Sequence, residues 1–220
     1  MIANIEPLAT KAGASLYHLK VTLQESNPPI WRRLQVPGDA NLGWLHAVLQ
    51  VAVGWTNSHL HHYFIGQDCY VDTTLGEDMD FGDPSSHDEA KAKLADVLPK
   101  AGVQFAYEYD FGDSWGHVIK VEKILPPDPA WAGKALCLAG ANACPPEDCG
   151  GLPGYENLIE ILADPKHEEH ESMKEWLGRP LDPKAFDLEK TNAYLRKLKW
   201  PRTTENHLRK VLMARDGYEE

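Results

Sequence analysis

The stretch SLYHLKVTLQESNPPIWRRLQV, residues 15–36, decides the class of fold to expect. Tyr17, Leu19, Val21 and Leu23 alternate with His18, Lys20 and Thr22, the two-residue period of a half-buried strand. Asn27, Pro28 and Pro29 break that run. Residues 30–36 then alternate again, with Ile30, Arg32, Leu34 and Val36 on one side and Trp31 and Arg33 on the other. Two such runs joined by a short turn predict an antiparallel hairpin.

Working outward, Pro37, Gly38 and Asp39 end the second strand, and Asn41 is placed to cap a helix running to about Val53. Leu42, Leu45, Leu49 and Val53 form its apolar stripe and Gly54 its stop. Strand-like segments follow at 61–65 and 69–72, connected through Gly66 and Gln67. The Asp-, Gly- and Ser-rich segment 73–88 reads as a loop, with helical or extended structure resuming over 89–98. Residues 103–111 and 115–125 read as strands turning at Gly112, Asp113 and Ser114. After a break at Pro126, Pro127 and Pro129, a Gly-, Cys- and Pro-rich loop is expected over 133–154. Helices are expected beyond Gly154, with Tyr155, Leu158, Ile159 and Leu162 on one face, and then near 167–177, 188–198 and 204–214. Strands early and helices late favour an α+β fold: an antiparallel-rich sheet in the N-terminal half packed with helices, and a mostly helical C-terminal part. The divisions expected are a flexible leader over 1–14, a single domain over 15–198 and a C-terminal helical tail over 199–220.

The chain of 220 residues is 43% hydrophobic and 25% charged, which suits a packed core. It has no run of about 18 apolar residues, so no membrane partner is expected. The start, residues 1–13, lacks a basic patch followed by an apolar run, so a cytoplasmic location is expected. A net charge of -11 repels phosphate backbones, which disfavours non-specific DNA binding while leaving room for a local basic patch. The one basic-leaning stretch, 196–215, reads as a solvated helix face. Cys69, Cys137, Cys144 and Cys149 are expected to be reduced thiols in that compartment.

Three clusters hold ligand-type residues. The first is Cys144-Pro145-Pro146-Glu147-Asp148-Cys149-Gly150-Gly151, a stiff loop that offers thiols and carboxylates to a metal, zinc being the ion such donors suit. Its Cys-x4-Cys spacing is wider than the tight pair of a zinc knuckle, so the cysteines could equally pack as small apolar groups, with Glu147 or Asp148 capping the helix that follows. The second is His59-Leu60-His61-His62, where a strand puts His59 and His61 on one face. The third is 109–117, where Asp110, Asp113 and His117 surround a turn and a carboxylate could orient the imidazole. The metal candidates are therefore His59, His61, Asp113, His117, Cys144 and Cys149. Buried, hydrogen-bonded side chains would produce the same pattern. Trp31, Trp55 and Trp115 read as core or groove lining. His167 and His170, three apart, have the spacing of neighbours on one helix face, though in so charged a run solvent exposure is the expectation. No phosphate-binding loop, dinucleotide fingerprint or His-Glu-x-x-His occurs.

Taken in order, Pro28-Pro29-Ile30-Trp31-Arg32-Arg33, then Leu45-His46 with Gly54-Trp55 and His59-Leu60-His61, then 109–117, then 144–151 with Gly154-Tyr155, resemble the plasmid pRiA4b ORF-3-like family. Trp31, Arg32, Trp55, Asp110, Trp115, Glu147 and Asp148 are further positions of these blocks. The resemblance covers roughly residues 16–198. It implies a mixed α/β domain and a loose link to mobile elements or DNA transactions, and supplies no mechanism. The missing catalytic motifs favour a binding or adaptor module with a protein partner. The alternative is a metal-dependent enzyme, a hydrolase or nuclease, built on the His, Asp and Cys clusters.

Overall fold

In the computed structural model, which describes residues 14–75 and 86–217, the alternating runs become β1 (Leu16–Leu23) and β2 (Trp31–Pro37), paired antiparallel. The strands β3 (His61–Ile65), β4 (Asp68–Val71), β5 (His87–Asp88), β6 (Gln104–Tyr109), β7 (Trp115–Leu125) and β8 (Leu136–Ala141) complete one eight-stranded sheet, ordered β5-β4-β3-β6-β7-β1-β2-β8. Every pairing is antiparallel except β4 with β5. The sheet and six helices make a mixed α/β architecture. The leader and residues 76–85 of the expected acidic loop lie outside the described residues.

Helix α1 (Leu42–Val53) begins where Asn41 accepts a hydrogen bond from the Trp44 amide and stops at Gly54, whose φ of 113° suits a residue without a Cβ. All of its residues except Gly43 are buried, because α1 is covered on two sides. On one side lies the sheet, where the Tyr63 hydroxyl donates to Leu42 O at 3.1 Å. On the other lie α5 (Leu188–Leu195) and α6 (Glu205–Asp216), reached through α2 (Leu94–Val97), α3 (Gly151–Ala163) and α4 (His170–Leu177) in the chain. Trp44 Nε1 donates to Lys199 O at 3.0 Å, and Leu208, Val211 and Leu212 join the same apolar core. Arg215 ends the basic stretch, but it is buried rather than solvated and donates to Gln50 O and Gly54 O. No helix among the described residues is long and apolar enough to cross a membrane.

The largest differences from the sequence expectation lie inside 133–154, and β5 stands within the segment 73–88 expected as a loop. Strand β8 runs through the expected loop because its small residues, Ala139, Gly140 and Ala141, show no apolar alternation. A Cβ on Gly140 would meet the Phe186 ring at 2.7 Å and Arg32 Cδ at 2.9 Å, so glycine is what allows the edge to close down. Asn192 of α5 seals that edge: it accepts from Cys137 N at 2.8 Å and donates to Cys137 O at 2.9 Å. Helix α3 starts at Gly151, ahead of the expected point, and its cap is Gly150 rather than Glu147 or Asp148. Gly154 falls within its first turn, where a Cβ would sit 1.8 Å from Cys149 O. His167 and His170 are also not a helical pair, since α4 begins at His170, whose buried Nδ1 bonds Ile161 O at 3.0 Å.

Candidate functional site

The sheet register brings parts of the three ligand-rich segments together beside α1. Tyr109, at the end of β6, is the hub. Its hydroxyl accepts from the Ser58 and His59 amides at 2.9 and 3.2 Å and donates to Glu147 Oε1. Glu147 also accepts from Thr56 through both its amide and its hydroxyl. Trp55 stacks on Tyr109 with ring centroids 4.9 Å apart and donates from Nε1 to Pro145 O at 3.0 Å. Asp113 Oδ2 accepts from Gly150 N at 3.2 Å, tying the β6–β7 turn to the same loop. The loop of 144–151 is thus pinned by Glu147 and by backbone contacts at Pro145 and Gly150.

At this junction the Oδ2 of buried Asp110 and the Oδ1 of exposed Asp148 lie 3.5 and 3.1 Å from His59 Nε2. The ligand atoms of the three all lie within 4.8 Å of one another. His59 Nε2 is shielded from solvent, and among the described residues its polar neighbours are these two carboxylates, neither in hydrogen-bond geometry with it. Both aspartates have left-handed backbones, with φ of 60° each. Asp110 holds its conformation through Oδ1, which accepts from Gly112 N at 3.0 Å, and its Oδ2 faces His59.

Beside this group opens a cleft of about 550 Å3, whose wall includes His46, His59, His61, Asp72, Glu89 and Asp110, with Arg202 and Glu205 on the α6 side. In its floor His46 and His61 stack face to face, 3.5 Å between centroids. His46 is fixed by Tyr107 Oη at 2.9 Å and by Asn57 Oδ1. His61 Nε2 meets Glu89 Oε2 at 2.8 Å, both side chains being buried. Burial pushes both imidazoles down to about 3, and burial pushes the Glu89 carboxyl up to about 7. A single proton held between His61 and Glu89 satisfies all of these directions at neutral pH, because it leaves the buried pair without net charge.

The remaining candidates stand elsewhere. His117 is buried behind Trp55, its Nδ1 bonded to Trp115 O at 2.9 Å and its Nε2 unpartnered, and burial pushes it down to about 4. Cys144 lies against Arg32 Nη2 at 3.4 Å, at the far end of α1. Cys149 Sγ points at Gly151 O at 3.8 Å, and burial, reinforced by Asp113, pushes its thiol up to about 12. None of the four cysteines is in a disulfide. Trp31 and Arg33 lie on the opposite face of β2 from Arg32. Trp115 packs on Trp55, ring centroids 5.8 Å apart. In the sequence His46 stands out only as part of the Leu45-His46 block, and Asp72 and Glu89 are not singled out. His46 sits inside an apolar helical stripe, and the other two flank a polar loop, so local pattern marks none of them.

A family model described as plasmid pRiA4b ORF-3-like protein matches residues 15–190. An uncharacterized protein of Sinorhizobium fredii, y4hQ, is 40% identical over 166 residues, which is 75% of this chain and 82% of the relative. A crystal structure of a protein of unknown function from Methanosarcina mazei superposes with a TM-score of 0.68 at 36% identity, covering 80% of this chain and 96% of that one.

Proposed function

Because the chain belongs to the plasmid pRiA4b ORF-3-like family, whose relatives named above are uncharacterized, we propose a function from the cleft itself: a divalent-metal centre of a hydrolytic enzyme. One observation carries this reading. His59, Asp110 and Asp148 come from three separate segments and present three ligand atoms within 4.8 Å of one another. One imidazole and two carboxylates form a mixed nitrogen and oxygen set that suits Zn2+ or Mn2+ and leaves coordination positions open for water. A cation there also relieves the repulsion between two carboxylates and gives His59 Nε2 a contact with good geometry. Such an ion would lower the pKa of a bound water and so supply a nucleophile at neutral pH. Glu89, which shares a proton with His61 in the same cleft, is the chain's own group for donating a proton to a leaving group. Glu147 and Tyr109 act as positioning residues by holding the loops that carry Asp148 and His59.

A binding role, with the loose link to DNA transactions, is favoured by a different feature. His62 packs between the exposed rings of Phe64 and Phe111, at centroid distances of 4.6 and 4.8 Å, on the solvent side of β3. The two readings part on metal content. Elemental analysis and titration calorimetry with Zn2+ and Mn2+ should give one ion per chain, lost in His59→Ala and Asp110→Asn, and metal-dependent cleavage should appear against a panel of esters and phosphodiesters. Protein that binds neither ion at micromolar concentration removes the enzyme reading and leaves the binding one.

A further inference from the structure

At the opposite end of α1 lies a second cleft, of about 260 Å3, whose wall includes Arg32, Cys144, Arg179, Lys190, Arg215 and Asp216. The charge here runs against that of the chain. Four cationic side chains line the cleft against three carboxylates, in a protein of net charge -11. Two of the cations are guanidinium groups buried in its wall, Arg32 at 3% and Arg215 at 7% exposure.

The two guanidinium groups are compensated differently. Arg215 has a bidentate carboxylate in Asp216, at 2.9 and 2.7 Å, besides the carbonyls of Gln50 and Gly54. Arg32 has no carboxylate among the described residues. It donates from Nε to Ala52 O at 2.9 Å, from Nη1 to Trp31 O and Ala141 O at 2.8 and 3.0 Å, and from Nη2 to Cys144 Sγ at 3.4 Å, while Phe186 covers its face at 4.1 Å. A guanidinium has five N–H donors, so these bonds leave one on Nη2. The carboxyl-terminal end of α1 offsets part of the charge through its carbonyls, but a helix end supplies about half a unit at most. The side chain beside both guanidinium groups is the Cys144 thiol, which burial keeps neutral although Arg32 and Arg215 pull it the other way. Of the other acids, Asp182 and Asp187 accept from the Lys184 and Lys190 amides, and the exposed Arg179 Nη1 lies 3.7 Å from Asp216 Oδ1. A buried cation without a full counter-charge, under a cleft rimmed by Arg179 and Lys190, fits an anion.

We propose that this cleft is an oxyanion site, taking a phosphate or carboxylate group of a small metabolite over Cys144, with the free Nη2 donor of Arg32 and the side chains of Arg179 and Lys190 as its contacts. The test is titration calorimetry of the full chain with inorganic phosphate and with succinate, at constant ionic strength in chloride. Saturable one-to-one binding of either probe is expected, and the preferred probe identifies the group. The double variant Arg179→Gln/Lys190→Gln changes only exposed side chains and should weaken that binding at least tenfold. The same probe should slow iodoacetamide labelling of Cys144, mapped by mass spectrometry, in the native chain but not in the double variant. Absence of saturable binding by both probes overturns the site, as does binding or thiol protection that persists unchanged in the double variant.

Discussion

Two imidazoles in the interior, His46 and His117, should set the acid limit of this fold. Burial holds them at about 3 and about 4, whereas an unfolded histidine titrates near 6.5. For a group whose pKa is depressed in the native state, the stabilisation is complete above the unfolded value. It is lost as pH falls, because the unfolded chain takes up a proton that the native one refuses. Each group therefore removes about 1.4 kcal/mol per pH unit once pH is well below 6.5, or about 2 kcal/mol by pH 5. Together they remove about 4 kcal/mol, a large share of a typical domain stability of about 5–15 kcal/mol. The His61 and Glu89 pair adds nothing over this interval, because the proton that unfolded His61 gains is matched by the one the native pair already holds. The perturbation is His117→Gln, and the assay is urea unfolding at pH 7, 6 and 5. Native protein and variant should differ by about 2 kcal/mol in the stability lost between pH 7 and 5, the variant losing less, whatever its stability at pH 7. Equal losses would refute the premise that His117 is neutral and dry in the folded state.

Other consequences follow from the same contacts. Gly154→Ala should destabilise by about 2 kcal/mol or more, since its Cβ would overlap Cys149 O and backbone cannot move aside as a side chain can; thermal unfolding reads this directly. Asn192→Ala should cost about 1–3 kcal/mol in urea unfolding, because both polar groups of Cys137 lose their partner at the edge of β8. Glu147→Gln removes the carboxylate that fixes Tyr109 and Thr56. It should weaken Zn2+ binding about tenfold in calorimetry while circular dichroism of the fold stays unchanged, as expected when a supporting contact to a ligand loop is lost.

Much of the framework was legible in the amino-acid order. The hairpin of β1 and β2, the caps of α1 at Asn41 and Gly54 and the turn between β6 and β7 follow from period-two alternation, helical spacing and turn chemistry within a few neighbouring residues. The three ligand-rich segments stood out by composition. Which of their residues meet did not. His59, Asp110 and Asp148 face one another, while His61, His117 and the thiols turn to other partners. That choice depends on strand order and on Glu147 anchoring a distant loop.

The same division runs through the rest of the molecule. Local order sufficed wherever a residue's conformation depends on backbone sterics and on side chains one turn or one pleat away. Strand β8, the placing of Gly140 and Gly154 under another segment's backbone or ring, and the seating of Arg32 and Arg215 at the end of α1 were decided only by tertiary structure. Each of these satisfies a donor, an acceptor or a volume supplied by a part of the chain tens of residues away, and no local period carries that information.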